Sequence, residues 1–139
     1  MHIIVCIKQI QDPEIASSVF RVNEEAKAVV PIPGMTPVIS PFDEQAVEAA
    51  LRIRDTASED AEIKITVLTM GPASVRAAVK GALSLGADEA VMLTDAAFDG
   101  ADSFSTASAL AKAIDKIGGY DLIITGRQAA DWDAGVVGL

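Results

Sequence analysis

The residues of this chain that could do chemistry fall into four short segments: Cys6 to Lys8, Ser40 to Asp43, Thr69 to Pro72 and Gly126 to Asp133. Two of them place small polar or glycine-rich residues where helices begin, and the free amides of a helix N-terminus favour an anion such as phosphate. Gly126 with Gly135 and Gly138 offers a looser phosphate cradle, although such glycine spacing is also common in ordinary loops. Asp131 and Asp133 resemble a carboxylate pair for acid–base work or metal binding. With no partner acid or histidine in view they read as helix-capping groups instead. Lys8 reads as a solvated cation at a strand end, with a phosphate or subunit contact as the alternative. Cys6, inside an apolar run, reads as a small core residue rather than a reactive thiol. Trp132, the one tryptophan, could be a lid, a subunit contact or a ring closing the core, and subunit contact is preferred.

Composition removes most other chemistries. The 139 residues carry 11 Lys and Arg against 20 Asp and Glu, a formal net charge of −9. Nucleic-acid surfaces draw affinity from clustered basic residues, and here the eleven are scattered, which argues against a DNA or RNA role. One histidine and one cysteine leave no material for a multi-histidine metal centre, a Ser-His-Asp triad or an internal disulfide. Aromatic residues make up 4%, which disfavours base-stacking platforms and aromatic peptide grooves. No Gly-x-Gly-x-x-Gly follows the first strand and no Gly-x-x-x-x-Gly-Lys-Ser/Thr occurs, so dinucleotide dehydrogenases and P-loop enzymes also recede. No apolar run approaches the roughly 20 residues that span a bilayer, and no signal or transit peptide is seen. A reducing, cytoplasmic setting is the expectation.

The elements that must position these residues follow from periodicity. Aliphatic and β-branched runs at Ile3 to Ile7, Ile63 to Met70, Ala90 to Leu93 and Leu122 to Thr125 read as buried strands. Between them, Val47, Ala50, Leu51 and Arg54, then Val75, Val79, Ala82 and Leu83, then Ala107, Leu110, Ala111, Ile114 and Ile117 have helical spacing. Alternating strand and helix predicts an α/β fold: a three-layer, Rossmann-like open parallel sheet of the adenine-nucleotide-binding type. Ser40, Pro41 and Asp43 fit N-cap, N1 and N3 of the first helix, the hydroxyl and carboxylate answering its free amides. Gly71 and Pro72 start the second helix, while Gly86 and Gly118 suit the left-handed position after the second and third. Phe20 to Val22 and Ala28 to Val30 predict an inserted hairpin, and prolines 31, 33 and 37 an extended return to the sheet. No repeat or linker divides residues 1–139, which read as a single domain. Residues 126–139 read as a loop and the opening of a helix, as if the chain were truncated before a C-terminal strand and arm. In such a sheet ligands sit beyond the carboxyl ends of the strands, where the strand order reverses, and the four segments meet there.

These residues resemble the β subunit of electron transfer flavoprotein, the FixA-like group. The likeness rests on Met1 to Gln9, on Arg21-Val22 with Val29-Val30, and on Ser40-Pro41-Phe42-Asp43 continuing to Glu48. Gly81 to Ala90 and Gly126-Arg127-Gln128-Ala129-Ala130-Asp131 complete it. The resemblance implies a subunit that is not catalytic alone. It packs as a heterodimer on an α subunit bearing a redox-active FAD, and carries electrons from acyl-CoA or other dehydrogenases to a quinone reductase or ferredoxin-type acceptor. It further implies that the pocket holds AMP or, in the electron-bifurcating branch, a second FAD. Carried over by position, the contacts fall on Cys6, Ser40, Pro41, Phe42, Asp43 and Met70. The remainder fall on Gly126, Arg127, Gln128, Ala129, Ala130, Asp131, Asp133, Ala134, Gly135, Val136 and Val137. The stretch from Asp95 to Asp102 is similar to the bifurcating branch. Two positions depart from the family's pattern: a Gln is usual at Val136 and a polar residue near Ala134. The runner-up is a universal-stress-protein-like ATP-binding module, whose terminal Gly-Ser/Thr signature the chain lacks. A small nucleotide-hydrolysing enzyme ranks third for want of a P-loop or metal cluster.

Overall fold

A computed structural model describes residues 1–26 and 28–139; Lys27, in the predicted hairpin loop, and the side chain of Ala28 lie outside the described residues. In chain order the elements are β1 (His2–Cys6), β2 (Gln9–Ile10), β3 (Val22–Asn23), β4 (Ala28–Val29), β5 (Val38–Ile39), α1 (Pro41–Asp55), β6 (Lys64–Met70), α2 (Arg76–Leu85), β7 (Glu89–Leu93), α3 (Ser103–Ile117) and β8 (Leu122–Thr125). β1, β6, β7 and β8 form one parallel sheet in the order β7-β6-β1-β8. The chain winds outward through β6 and β7, then returns to lay β8 on the other side of β1. The order therefore reverses between β1 and β8, the place where open α/β sheets hold ligands.

Residues alternate along each strand, and the two faces of β1 bury different sets. Ile3, Val5 and Ile7 join Ile65 and Val67 beneath α1 and α2, where Val47, Ala50, Ala78 and Ala82 complete the core. Ile4 and Leu68 face the other way, against Ile114 of α3. A strand covered on both faces has no polar side to show, which is why the central strands read as continuous apolar runs. The α3 layer is the thinner one: Ile114 is its only buried residue.

The inserted hairpin forms where expected, with Val22 opposite Val29 and Asn23 opposite Ala28. β2 and β5 pair antiparallel, Gln9 with Ile39 and Ile10 with Val38, a small ladder the sequence did not announce. Gly86 and Gly118 follow α2 and α3 at φ +124° and +62°, the conformation expected of a terminating glycine. A 3-10 turn at Ala73–Val75 intervenes between Gly71-Pro72 and α2.

Two expectations are corrected. Ser40 and Pro41 do occupy N-cap and N1 of α1, but the Ser40 side chain caps no amide of its own helix. The predicted helix opening in residues 126–139 is a run of turns instead. Asp133 at φ +53° and Gly135 at φ +62° are left-handed, and two such residues so close together cannot belong to a right-handed helix.

Leu68 is fully buried, whereas Val22 on the hairpin is 53% exposed. Leu68→Ala is expected to lower unfolding free energy by about 2–5 kcal/mol. Val22→Ala should stay within about 0.5 kcal/mol of the parent. Urea denaturation of the two variants distinguishes a core at the main sheet from one that depends on the hairpin.

Candidate functional site

At the switch point the carboxyl ends of β1 and β8 open into a cleft of about 530 Å³. Its volume lies within the roughly 300–1,000 Å³ of small-molecule sites. The floor is built around one buried carboxylate. Asp43, in the first turn of α1 and 7% exposed, accepts the Lys8 amide at 2.8 Å just past β1. On the other side it lies against Gly126, the residue that leaves β8. A Cβ on Gly126 would overlap the Asp43 carboxylate and stand 2.9 Å from the Phe42 carbonyl carbon, so only glycine lets β8 exit this close to α1. Asp43 thus joins three elements rather than capping one, which corrects the capping role expected for it.

Burial raises the Asp43 pKa to about 6, a tendency opposed by the Lys8 and Gly126 amides and the Lys8 charge and reinforced by Asp131. Cys6, beside it, is pushed up to about 11 by burial and by the charge of Asp43. Its thiol stays protonated at neutral pH, as a lining group and not a nucleophile.

Of the seventeen residues expected to contact a ligand, eleven line this cleft. Cys6, Asp43 and Met70 come from the first two sheet strands and α1. Gly126, Arg127, Gln128, Ala129, Ala134, Gly135, Val136 and Val137 come from the segment after β8. The other six do not line it, and three of them, Phe42, Asp131 and Asp133, hold residues that do. Ser40 Oγ accepts the Ala130 amide at 3.3 Å, tying the α1 start to the loop. The Phe42 ring carries the Arg127 guanidinium 5.0 Å from its centroid. Asp131 accepts two hydrogen bonds from Lys8 Nζ at 2.9 and 2.7 Å, and Asp133 accepts Gln128 Nε2 at 2.7 Å. Neither aspartate caps a helix; Lys8 is an ion-pair partner rather than a free solvated cation. Pro41 contributes the N1 position of α1. Trp132 is 70% exposed, which excludes core closure.

One wall was missed. Ala101, Asp102, Ser103, Thr106 and Leu110, at and beyond the start of α3, complete the cleft. The signal was present in Asp102-Ser103, an N-cap pair whose carboxylate accepts the Ser105 amide at 2.7 Å. Those bonds from Ser105 hold Asp102 below the usual carboxylate range.

The amides of Ala134, Gly135, Val136 and Val137 find no acceptor among the described residues. Successive N–H groups in a turn that converge on one point form anion-binding concavities, and Gly135 supplies a left-handed residue within this run. A larger, shallower hollow of about 750 Å³ lies at the opposite end of the sheet. Its polar groups already satisfy one another: His2 Nε2 with Thr66 Oγ1 at 2.7 Å, Glu89 with Lys64 at 2.7 Å, and Asp121 with the His2 amide at 2.7 Å. Among the described residues no cluster of His, Cys, Asp and Glu is arranged to hold a metal ion.

Comparison with known proteins decides the family. The family described as Electron transfer flavoprotein domain matches residues 35–138. The chain belongs to the electron transfer flavoprotein domain family. It is 43% identical over 138 residues to the electron transfer flavoprotein subunit beta of Thermoanaerobacterium thermosaccharolyticum, covering 99% of this chain and 49% of the relative. To Protein FixA of Azorhizobium caulinodans it is 42% identical over 142 residues, covering 99% and 47%. The caffeyl-CoA reductase-Etf complex subunit CarD of Acetobacterium woodii is 37% identical over 138 residues, covering 99% and 50%. The chain thus spans about half the length of the curated relatives it matches. Among the described residues no helix is long and apolar enough to cross a membrane.

The Asp43 junction makes two expectations for this electron transfer flavoprotein domain. Gly126→Ala should cost about 1–3 kcal/mol, the range for forcing extra atoms into a packed region, and be visible as a lowered Tm. Asp43 also gives stability a pH slope. With its pKa raised from 3.8 to about 6, the folded state holds a proton that the unfolded chain has already released. Stability from this group is greatest below about pH 4 and is lost as pH rises to about 6. Asp43→Asn cannot titrate, so the unfolding free energy of the parent relative to this variant should fall across that window and level off above it. A difference independent of pH would show that the carboxylate titrates normally.

Proposed function

We propose that this chain is the nucleotide-binding part of an electron transfer flavoprotein β subunit. It binds the adenosine phosphate half of AMP or of a second FAD and packs on an α subunit that bears the redox-active FAD. The observation that carries this reading is the cleft at the β1/β8 switch point, edged by the consecutive free amides of Ala134 to Val137. Ala134, Val136 and Val137 have no polar side-chain atoms, so a phosphate held there is held by main chain. The resident groups fit such a ligand. Backbone donors suit the phosphate oxygens, and Met70, Leu110 and the valines supply apolar surface for a ring.

When bound, FAD would supply one- and two-electron chemistry; the residues of this chain would bind, orient and shield it. Cys6 stays a thiol and takes no covalent part. Electrons would enter from acyl-CoA or other dehydrogenases and leave to a quinone reductase or ferredoxin-type acceptor, in the cytoplasm. In this reading the subunit is an electron carrier, not an enzyme by itself.

The test is to produce the full-length protein with its candidate α subunit and analyse the nucleotides released from the pure complex. One flavin plus AMP per heterodimer is expected for plain carriage, and two flavins for the bifurcating branch. Bound ATP with no associated α subunit would return the case to a stress-protein-like module. Gly135→Val, which adds side-chain bulk beside the free amides and strains a left-handed position, should reduce nucleotide content by tenfold or more with little loss of α-subunit association.

A further inference from the structure

Trp132 lies in the wall of the cleft, yet it is 70% exposed, and it is the only tryptophan in the chain. An indole left in water forgoes a large apolar stabilisation, so its position calls for a reason. Its backbone is held on every side. The Trp132 amide donates to Asp131 Oδ1 at 2.9 Å, and the same carboxylate is gripped by Lys8 Nζ. Asp133 closes the turn by donating its amide to the Ala129 carbonyl at 3.0 Å, and its side chain is held by Gln128. Asp133 also adopts φ +53°, a conformation non-glycine residues seldom take. The main chain is thus clamped while the ring remains in solvent, the arrangement of a preorganised contact rather than of a frayed loop. Trp132 also borders a concave site rather than a flat surface, which favours a small flat ligand over a protein face.

We propose that Trp132 is an aromatic lid that stacks on the flat heteroaromatic ring of the nucleotide held in this cleft. The inference rests on the nucleotide-site reading above and adds the residue that would recognise the ring, whereas the loop amides would recognise the phosphate. An indole presents a broad π-face and tolerates different rings, so adenine and isoalloxazine are both admissible partners.

The experiment uses the full-length protein stripped of nucleotide, its Trp132→Ala and Trp132→Phe variants, and AMP and FAD as probes. Because Trp132 is exposed, neither substitution should shift Tm without nucleotide. Calorimetry on Trp132→Ala should show a Kd raised about tenfold or more, the worth of one ring stacked on an aromatic side chain, with Phe restoring most of it. The Trp132 emission, obtained as the difference between wild type and Trp132→Phe, should be quenched on titration. Equal losses for AMP and FAD would place adenine under the indole, and a loss confined to FAD would place isoalloxazine there. If every nucleotide that binds wild type binds Trp132→Ala equally well, or the Trp132 emission does not respond to binding, the lid is overturned and the site stands. If neither nucleotide binds wild type, the lid and the site fall together.

Discussion

The carboxylate of Asp43 is the constraint on which the rest of the cleft depends. It is buried in the first turn of α1, bonded to the amide that follows β1 and pressed against the glycine that follows β8. A parallel sheet leaves its strand ends diverging, and nothing in the sheet ladder fixes where the following loops go. A single acceptor shared between those loops does so. Burying a charge is costly unless it is hydrogen-bonded, and that cost is visible in its raised pKa. What is gained is a floor of defined shape between β1 and β8. Ser40 repeats the device one turn earlier by bonding Ala130. The N-terminus of α1 therefore acts as a bracket for two other segments.

The same view explains why the residues behind the cleft matter as much as those that line it. Phe42, Asp131 and Asp133 face Arg127, Lys8 and Gln128, and each pairing holds a member of the wall. The Lys8–Asp131 ion pair is partly solvent-exposed and worth little to stability by itself. Its consequence is positional, because it spans from the end of β1 to the turn that carries Trp132.

How much of this was legible in the sequence differs by level. The four sheet strands and three helices were readable because each strand is an apolar run and each helix repeats its apolar positions, signals local to the segment, although β8, expected to be buried, is an edge strand that exposes Leu122 and Ile123. The site's location was readable because strand alternation implies a switch point, and Cys6, Asp43, Met70 and the residues after Thr125 follow from it. The roles of Ser40 and Asp43 were not. A serine at N-cap with an acid three residues on has a local use, and only the three-dimensional approach of Lys8, Gly126 and Ala130 supplies a competing one. The wall from Ala101 to Thr106 escaped because α3 was placed from its apolar repeat, which begins at Ala107; Leu110 belongs to that repeat but was read only as a packing position. The helix opening expected within residues 126–139 failed at Asp133 and Gly135, whose left-handed backbone no residue-type pattern announced.

An anion site in a chain of net charge −9 requires an account of where the acid goes. Three carboxylates near the cleft are already engaged: Asp43 by the Lys8 amide, Asp131 by the Lys8 ammonium, Asp133 by the Gln128 amide group. Asp102 is spent on the first turn of α3. Charges farther away matter less, since at physiological salt the field of an exposed group fades over about 8 Å. The proposed phosphate donors are the amides from Ala134 to Val137, which have no acceptor among the described residues and need no counter-charge. In the proposed reading, backbone donors at Ala134 and Val136 would hold a phosphate without dependence on any ionisable group. Such donors also leave the valine side chains free to line the cleft with apolar surface, so that phosphate and ring can be recognised by different atoms of the same four residues.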